Sequence, residues 1–389
     1  MPDLSTMKAT ERHDWLVNRA RERGFARVAE LAGELGVSSM TIRRDLDQLE
    51  DLGLVKRVRG GVVPGTSADP GPESAPAEPQ EPRIGVLMPE VTGSPGAANP
   101  AAQPPEVGYY FERILSGVRA ELQNSGLRPR LAFSPMGTRD SDPEVNRRTL
   151  GVERRMVDEL IAAGVNGLLF SPNGASGPMD EYLDWLRALP IPVVLMEREL
   201  GASTAVPSVS SVRSAHEVGV AKALVHLRDL GHKAVYLLRH HQSQTASAIH
   251  QGWLAATAAQ GLDATLTTVV GELADWPQDV AVDAFLRGLL DRGVTALLCH
   301  NDNNAYVILR RAAALGIDVP AKLSLISYDD DFAELFDPPV TAVAPPRFYV
   351  GRMAARLLLD RFAGALPNVA HVRVEPHLAI RESTGPALH

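Results

Sequence analysis

Apolar positions recur at helical spacing through the first sixty residues. Residues 11–24, ERHDWLVNRARERG, set Trp15, Leu16 and Ala20 on one side and arginines on the other, which predicts a helix. In the next stretch, Val28 to Gly61, Leu31 and Leu35 sit four apart beside the small Ala29 and Ala32. Gly36 closes this second helix, because the residue past a helix end often needs a positive φ. Ser38 or Ser39 can cap a third helix by accepting a hydrogen bond from its free N–H groups. Ile42, Leu46 and Leu49 then make a buried stripe, which turns Thr41, Arg43 and Arg44 outward near the start of that helix. Gly53 stops it, and Lys56, Arg57 and Arg59 lead into Gly60-Gly61 as a basic hairpin.

From Arg83 onward the texture changes to short apolar runs alternating with amphipathic segments. Strands are predicted at Ile84–Met88, Arg130–Phe133, Gly167–Phe170, Pro192–Met196, Ala234–Leu238, Ala264–Val270, Ala296–Cys299 and Leu323–Ser327. Helices fall between them, including Tyr109–Asn124, Glu153–Ala163, Ala215–Leu230, Trp253–Gln260, Pro277–Arg292 and Asn303–Leu315. Continuous apolar strands joined by helices indicate parallel sheets covered on both faces. Ligands bind such sheets beyond the carboxyl ends of the strands. The stretch is long enough for two α/β lobes with a cleft between them. Ser94 to Pro105 interrupts it as a loop of Ala, Pro and Gly.

Between the two patterns, Pro64 to Pro82 carries six prolines among nineteen residues and reads as an extended tether. At ~3 Å per residue it reaches roughly 60 Å when fully stretched. The expected domains are therefore 1–63, a linker over 64–82, and 83–389.

The composition narrows the chemistry. The chain has 389 residues, 45% of them hydrophobic and 22% charged, with a net charge of −8. Residues 1–63 hold eleven Lys and Arg against ten Asp and Glu, so the basic character is local to Arg43, Arg44, Lys56, Arg57 and Arg59. A helix, a tight turn and a second helix with an outward first turn present side chains to DNA base edges, and a basic hairpin suits phosphates. Cys299 has no intrachain partner, no apolar run approaches a membrane span, and no leader segment is evident, so a reducing, cytoplasmic setting is expected. There is no phosphate-cradling loop and no nucleophile elbow, and an enzyme or a cofactor is not expected. His232, His240, His241 and His250 lack the spacing of a metal site.

The first segment resembles the DeoR-type winged helix-turn-helix. The residues that carry the likeness are Val28, Leu31, Ala32, Leu35, Val37, Ser38, Thr41-Ile42-Arg43-Arg44-Asp45-Leu46, Leu49, Gly53, Arg57 and Gly60-Gly61. The remainder resembles LacI/GalR-type sensor domains through Arg83–Pro89, Leu227–Lys233, Cys299-His300-Asn301-Asp302 with Ala305, and Leu315–Pro320. Leu323–Asp330, Pro338-Pro339-Val340-Thr341, Gly351 with Ala354, and Arg381–Thr384 extend it in order. This resemblance implies a two-lobed, Rossmann-like fold similar to periplasmic sugar-binding proteins, a ligand in the cleft and a homodimer. It places Asn301 or Asp302, Asp329, Glu197 and Arg198 at the ligand, with Trp276 and Tyr109 or Tyr110 as aromatic walls. Asp302 and Asp329 could equally cap helices after strands.

The sequence also departs from that family. Ile249 stands where many members have an arginine three residues before a Gly-aromatic pair, here Gly252-Trp253. Ala215-His216 replaces a frequent Asp-Asn, and Pro345 a common glutamine. The usual short head and hinge helix give way to the DeoR-type head and the proline-rich tether. The expected function is a dimeric regulator, a repressor by preference, that binds double-stranded operator DNA and responds to a mono- or oligosaccharide. Ser38, Ser39, Thr41, Arg43 and Arg44 would contact DNA from the second helix of the pair, and Lys56, Arg57 and Arg59 from the hairpin. The alternative is a constitutive or activator-type regulator whose effector site is degenerate or takes something other than a sugar.

Overall fold

The chain divides into two compact units, residues 1–80 and 81–389. The structure is a computed structural model, and it describes residues 9–23, 25–51, 54–58, 61–64, 81–90, 109–135, 143–173, 179–199, 209–239, 244–269, 279–366 and 368–387.

The first unit holds helices α1 (Ala9–Arg23), α2 (Val28–Leu35) and α3 (Ser39–Asp51) and strands β1 (Ala26–Arg27), β2 (Val55–Val58) and β3 (Gly61–Pro64). The strands form an antiparallel sheet in the order β1-β3-β2. Gly36 takes φ 65° and ends α2, as its position predicts. Ser38 is the cap of α3: its Oγ accepts the Thr41 N–H at 3.1 Å. Leu16, Leu31, Leu35, Ile42, Leu46, Leu49, Val55 and Val62 are buried in one core. Asp45, inside the basic motif of α3, is also buried. Arg12 of α1 donates to it from Nε at 2.6 Å and from a terminal nitrogen at 3.1 Å, and His13 Nε2 lies 3.3 Å away. The Arg12 guanidinium and His13 hold its carboxyl below the usual range, against the upward push of burial. Asp45 thus fixes α1 across α3.

The second unit is built on two six-stranded sheets. The first lobe contains β4 (Ile84–Glu90), α4 (Tyr109–Asn124), β5 (Arg130–Pro135), α5 (Pro143–Ala162), β6 (Gly167–Phe170), α6 (Met179–Ala188), β7 (Val193–Met196) and β8 (Ser210–Ser214). The chain then crosses to the second lobe: α7 (His216–Asp229), β9 (Val235–Arg239), α8 (Gln244–Gln260), β10 (Thr267–Val269), α9 (Asp279–Asp291), β11 (Ala296–Cys299), α10 (Asp302–Ala314), β12 (Ser324–Tyr328) and β13 (Thr341–Ala344). Through Pro345-Pro346 it returns as α11 (Arg347–Phe362) and β14 (His371–Val374), and through Glu375-Pro376 it crosses a third time into β15 (His377–Ala379).

The sheet orders are β14-β8-β7-β6-β4-β5 and β10-β9-β11-β12-β13-β15, all parallel except β15 against β13. Apolar clusters cover both faces of each sheet, which is why the strands read as unbroken apolar runs. Helices α5 and α8 begin earlier than their apolar stripes indicate, at Pro143 and Gln244.

Two sequence features acquire structural meaning here. Gly117 of α4 and Gly351 of α11 let the helices touch: a Cβ on Gly351 would lie 1.9 Å from the Ile114 carbonyl oxygen, and one on Gly117 equally close to that of Phe348. His232, after α7, is buried between Thr295 Oγ1 at 2.8 Å and, on its other nitrogen, Ser324 Oγ and the Gly385 carbonyl, both at 3.0 Å. It pins the returning 381–387 segment to the second lobe.

Candidate functional site

In the first unit the outward face of α3 borders a groove of about 350 Å³ lined by Val28, Ala29, Ser39, Arg43, Arg57, Val58 and Gly61. Arg43, Arg44 and Ser39 are exposed at its first two turns. Thr41 is tied into the cap, its hydroxyl 2.9 Å from Ser38 Oγ, so both side chains have a local duty. Lys56 is exposed on the hairpin. Arg57 differs from expectation: its guanidinium pairs with Asp47 of α3, and its backbone N–H donates to Glu50 at 2.7 Å. It clamps the hairpin onto the reading helix, with Asp47 answering its charge and Glu50 holding its backbone. Arg59 lies outside the described residues.

In the second unit the strand ends and helix starts that face the lobe junction bring together Tyr110, Glu197, Arg198, His216, Tyr328, Asp329 and Arg347. Glu197 follows β7, is buried, and takes φ 55°. Its carboxylate accepts Ser214 Oγ–H at 2.5 Å and Ser214 N–H at 3.1 Å, and His216 Nε2 stands 3.4 Å away. Burial pushes this carboxyl up, but His216 and the Ser214 donors outweigh it and hold it at about 2. His216 Nδ1 meets the Tyr328 hydroxyl at 2.8 Å, so the three side chains join the end of β7 to the start of α7 and the end of β12. Arg198 donates to the carbonyls of Glu197 at 2.8 Å and Pro172 at 3.3 Å, which turns it along the strand ends.

Arg347, the first residue of α11, is buried and bridges the lobes. It pairs with Asp331 at 2.7 Å, donates to the Asp329 carbonyl at 2.5 Å, and lies over the Tyr110 ring, 5.0 Å from its centre. This revises the reading of Tyr110 as an aromatic wall: one ring face is covered by Arg347. Its hydroxyl, by contrast, is buried without a hydrogen-bond partner among the described residues. Asp329 follows β12 at φ 104°. Its carboxyl accepts no hydrogen bond among the described residues, and burial pushes it up to about 8, with Arg347 opposing and Asp331, Asp302 and Glu197 reinforcing the rise. Ser171 Oγ, at the end of β6, is likewise buried and unpartnered among the described residues.

Asp302, expected at the ligand, has an internal role. Its carboxylate accepts Asp331 N–H at 2.7 Å, Phe332 N–H at 2.9 Å and the Ser327 hydroxyl, so it anchors the loop that carries Asp329. Asn301 caps α10 by accepting the Asn304 N–H at 2.7 Å. Ile249 packs into the core of the second lobe. Trp276 and the Tyr109 side chain lie outside the described residues. Arg347 escapes sequence reasoning, and His216 is met there only as part of the departure at Ala215-His216. Among the described residues no helix is long and apolar enough to cross a membrane, and no group of three His, Cys, Asp or Glu could hold a metal ion.

Comparison with known proteins places both units. A DeoR-like helix-turn-helix domain matches residues 12–68, and a periplasmic binding protein-like domain matches residues 224–384. The HTH-type transcriptional regulator CelR of Thermobifida fusca is 32% identical over 238 residues, covering 60% of this chain and 68% of CelR. The regulator MalR of Streptomyces coelicolor is 26% identical over 371 residues, 93% of this chain and 97% of MalR. Among solved structures, a CelR–cellobiose complex superposes with a TM-score of 0.57 at 24% identity, covering 89% of this chain and 91% of that one, which shows a shared fold. The chain belongs to the HTH-type transcriptional regulators with a LacI-type, two-lobed sensor, and its DNA-binding head is of the DeoR-like kind.

Proposed function

We propose that this regulator is a repressor whose affinity for operator DNA is set by a small sugar bound between the sensor lobes. The observation that carries the effector half is a set of polar atoms with no hydrogen-bond partner among the described residues: the buried Tyr110 hydroxyl and Ser171 Oγ, together with the carboxyl of half-buried Asp329. Buried polar groups are ordinarily satisfied, so a group of them at strand ends fits a ligand that supplies the missing hydrogen bonds. Vicinal hydroxyls both donate and accept, so they can meet the Asp329 carboxyl with or without its proton as well as the Tyr110 hydroxyl. Arg198 and Arg347 are engaged with carbonyls and Asp331, which favours a neutral sugar over an acidic one. Cellobiose, bound by CelR in its solved complex, is a suitable first probe.

Arg43 and Arg44 would read the major groove, and Lys56 would hold a phosphate. The exposed Val280, Tyr306 and Leu335, with Phe336 in ring contact with Tyr306 at 5.4 Å, make an apolar face suited to a homodimer on paired half-sites. The relatives it matches are transcriptional regulators, which supports a binding role over an enzymatic one. The protein's work on DNA would be cytoplasmic.

The test is a gel-shift titration of the promoter of the protein's own operon, with and without a panel of neutral mono- and disaccharides. A shift of operator affinity by one sugar, lost in Asp329→Ala, is expected. A flat response across the panel, with DNA binding intact, would favour the constitutive reading that the apolar Ile249 in place of an arginine already motivates. Unchanged operator affinity in Arg43→Ala and Arg44→Ala would overturn the assignment of the head.

A further inference from the structure

The first turn of α3 presents one side chain that neither the core nor the cap explains. Met40 is 73% exposed, while Ile42, Leu46 and Leu49 on the inward side of the same helix are buried. Its neighbour Thr41 is held by Ser38, and no acidic residue stands in that turn. The outward side chains there are Ser39, Met40, Arg43 and Arg44. A thioether in water gains nothing from exposure, yet here it is flanked by the two arginines best placed to approach DNA.

We propose that Met40 is a specificity-determining residue that packs against the C5-methyl group of a thymine in the major groove of each half-site. This rests on α3 as the reading helix. The thymine methyl is the apolar feature that a base pair offers in that groove, and it distinguishes T·A from the other pairs. Residues four apart on a helix share a face, with Cβ atoms about 5–6 Å apart. Met40 and Arg44 therefore reach base edges on one stripe, separated by about one or two base-pair steps of ~3.4 Å. A guanine held by Arg44 Nη and Nε through O6 and N7 should accordingly lie within two base pairs of the thymine that Met40 covers.

The experiment enriches duplexes from a random pool with the full chain, then replaces each thymine of the selected half-site, one at a time, by deoxyuridine. Removing one buried methyl weakens binding by about fourfold. For the natural chain, one thymine per half-site should show that loss. Met40→Ala should bind the thymine and deoxyuridine duplexes equally, and Met40→Leu should restore the difference. Met40→Ala places a better helix former at an exposed position, and circular dichroism checks that the fold is kept. Equal sensitivity to deoxyuridine in the natural chain and Met40→Ala, or no sensitive thymine at all, would overturn the proposal. A change in oligomeric state in Met40→Ala with unchanged DNA preference would also overturn it, assigning the side chain to a protein contact. Loss of binding in Arg43→Ala and Arg44→Ala is the separate control on the reading helix itself.

Discussion

Replacing Asp302 by alanine separates two roles that a strand-end aspartate can play. In the structure its carboxylate, 2% exposed, accepts two backbone N–H groups and one hydroxyl from the segment 327–332. Leaving a buried donor without its acceptor costs about 1–3 kcal/mol. The two N–H groups lie in a half-buried loop that water can reach, and removing a carboxyl whose pKa burial has raised recovers part of the loss. A net destabilisation of ~2–3 kcal/mol follows. For a unit of this size that lowers the sensor's melting temperature by about 5 °C, read by scanning calorimetry of the full chain without effector. The loop also carries Asp329, so effector affinity should fall in parallel, while operator affinity without effector stays the same. Asp302→Asn keeps one acceptor oxygen and should lie between. If Asp302→Ala melts within a degree of the natural chain and only its effector binding is lost, the carboxylate contacts ligand and the anchoring argument is wrong.

Glu153 is buried and accepts Tyr182 Oη–H at 2.5 Å, Asn173 N–H at 2.9 Å and Ser134 Oγ–H at 3.1 Å, yet burial lifts it to about 7. Its folded pKa exceeds the unfolded one, so the folded chain holds the proton longer and stability falls as pH rises from about 4.5 to 7, by ~2–3 kcal/mol; Glu153→Gln should flatten that slope in urea titrations. Asp45 behaves oppositely. Its depressed pKa contributes stability above the unfolded value near 3.8 that is lost on acidification through the folded value, and Asp45→Asn should cost ~2 kcal/mol at pH 7 and converge with the natural chain once the pH falls below that folded value. Gly351→Ala must push α11 away from α4, since its Cβ would meet a carbonyl oxygen at 1.9 Å; a loss of ~3 kcal/mol or more is expected, and an unmoved urea midpoint would contradict the crossing.

Local rules made the head legible. The cap at Ser38, the stop at Gly36 and the Ile42–Leu46–Leu49 stripe involve residues within a few positions of each other, so spacing alone reveals them. The role of Asp45 was hidden, because its partner Arg12 is thirty-three residues away on another helix. In the sensor, doubly covered strands announced themselves as apolar runs. β8 did not, since Ser210, Ser211 and Ser214 are buried through hydrogen bonds to Ala370, His371 and Glu197 rather than through apolar contact. The short β14 and β15 owe their pairing to the returning chain, a long-range effect. At the site, Asp302 and Asp329 look alike in sequence; only the loop that folds back onto Asp302 gives them different duties. His216 and Arg347 stand just past lobe crossovers, where the direction of a side chain depends on how the lobes meet.

The left-handed backbone at Glu197, Asp329 and Asp330 bears on how such a sensor diversifies. Asp and Asn tolerate these angles far better than β-branched or bulky residues, and glycine better still. Over generations, then, the three positions have a narrow repertoire, and most exchanges there would carry about 1–2 kcal/mol of backbone strain alongside any new specificity. Novelty must enter through positions in ordinary backbone that face the same space, such as Tyr110, Ser171 and Arg347. A lineage could therefore change what it senses while its acidic strand ends stay constant, keeping an old scaffold beneath a new preference.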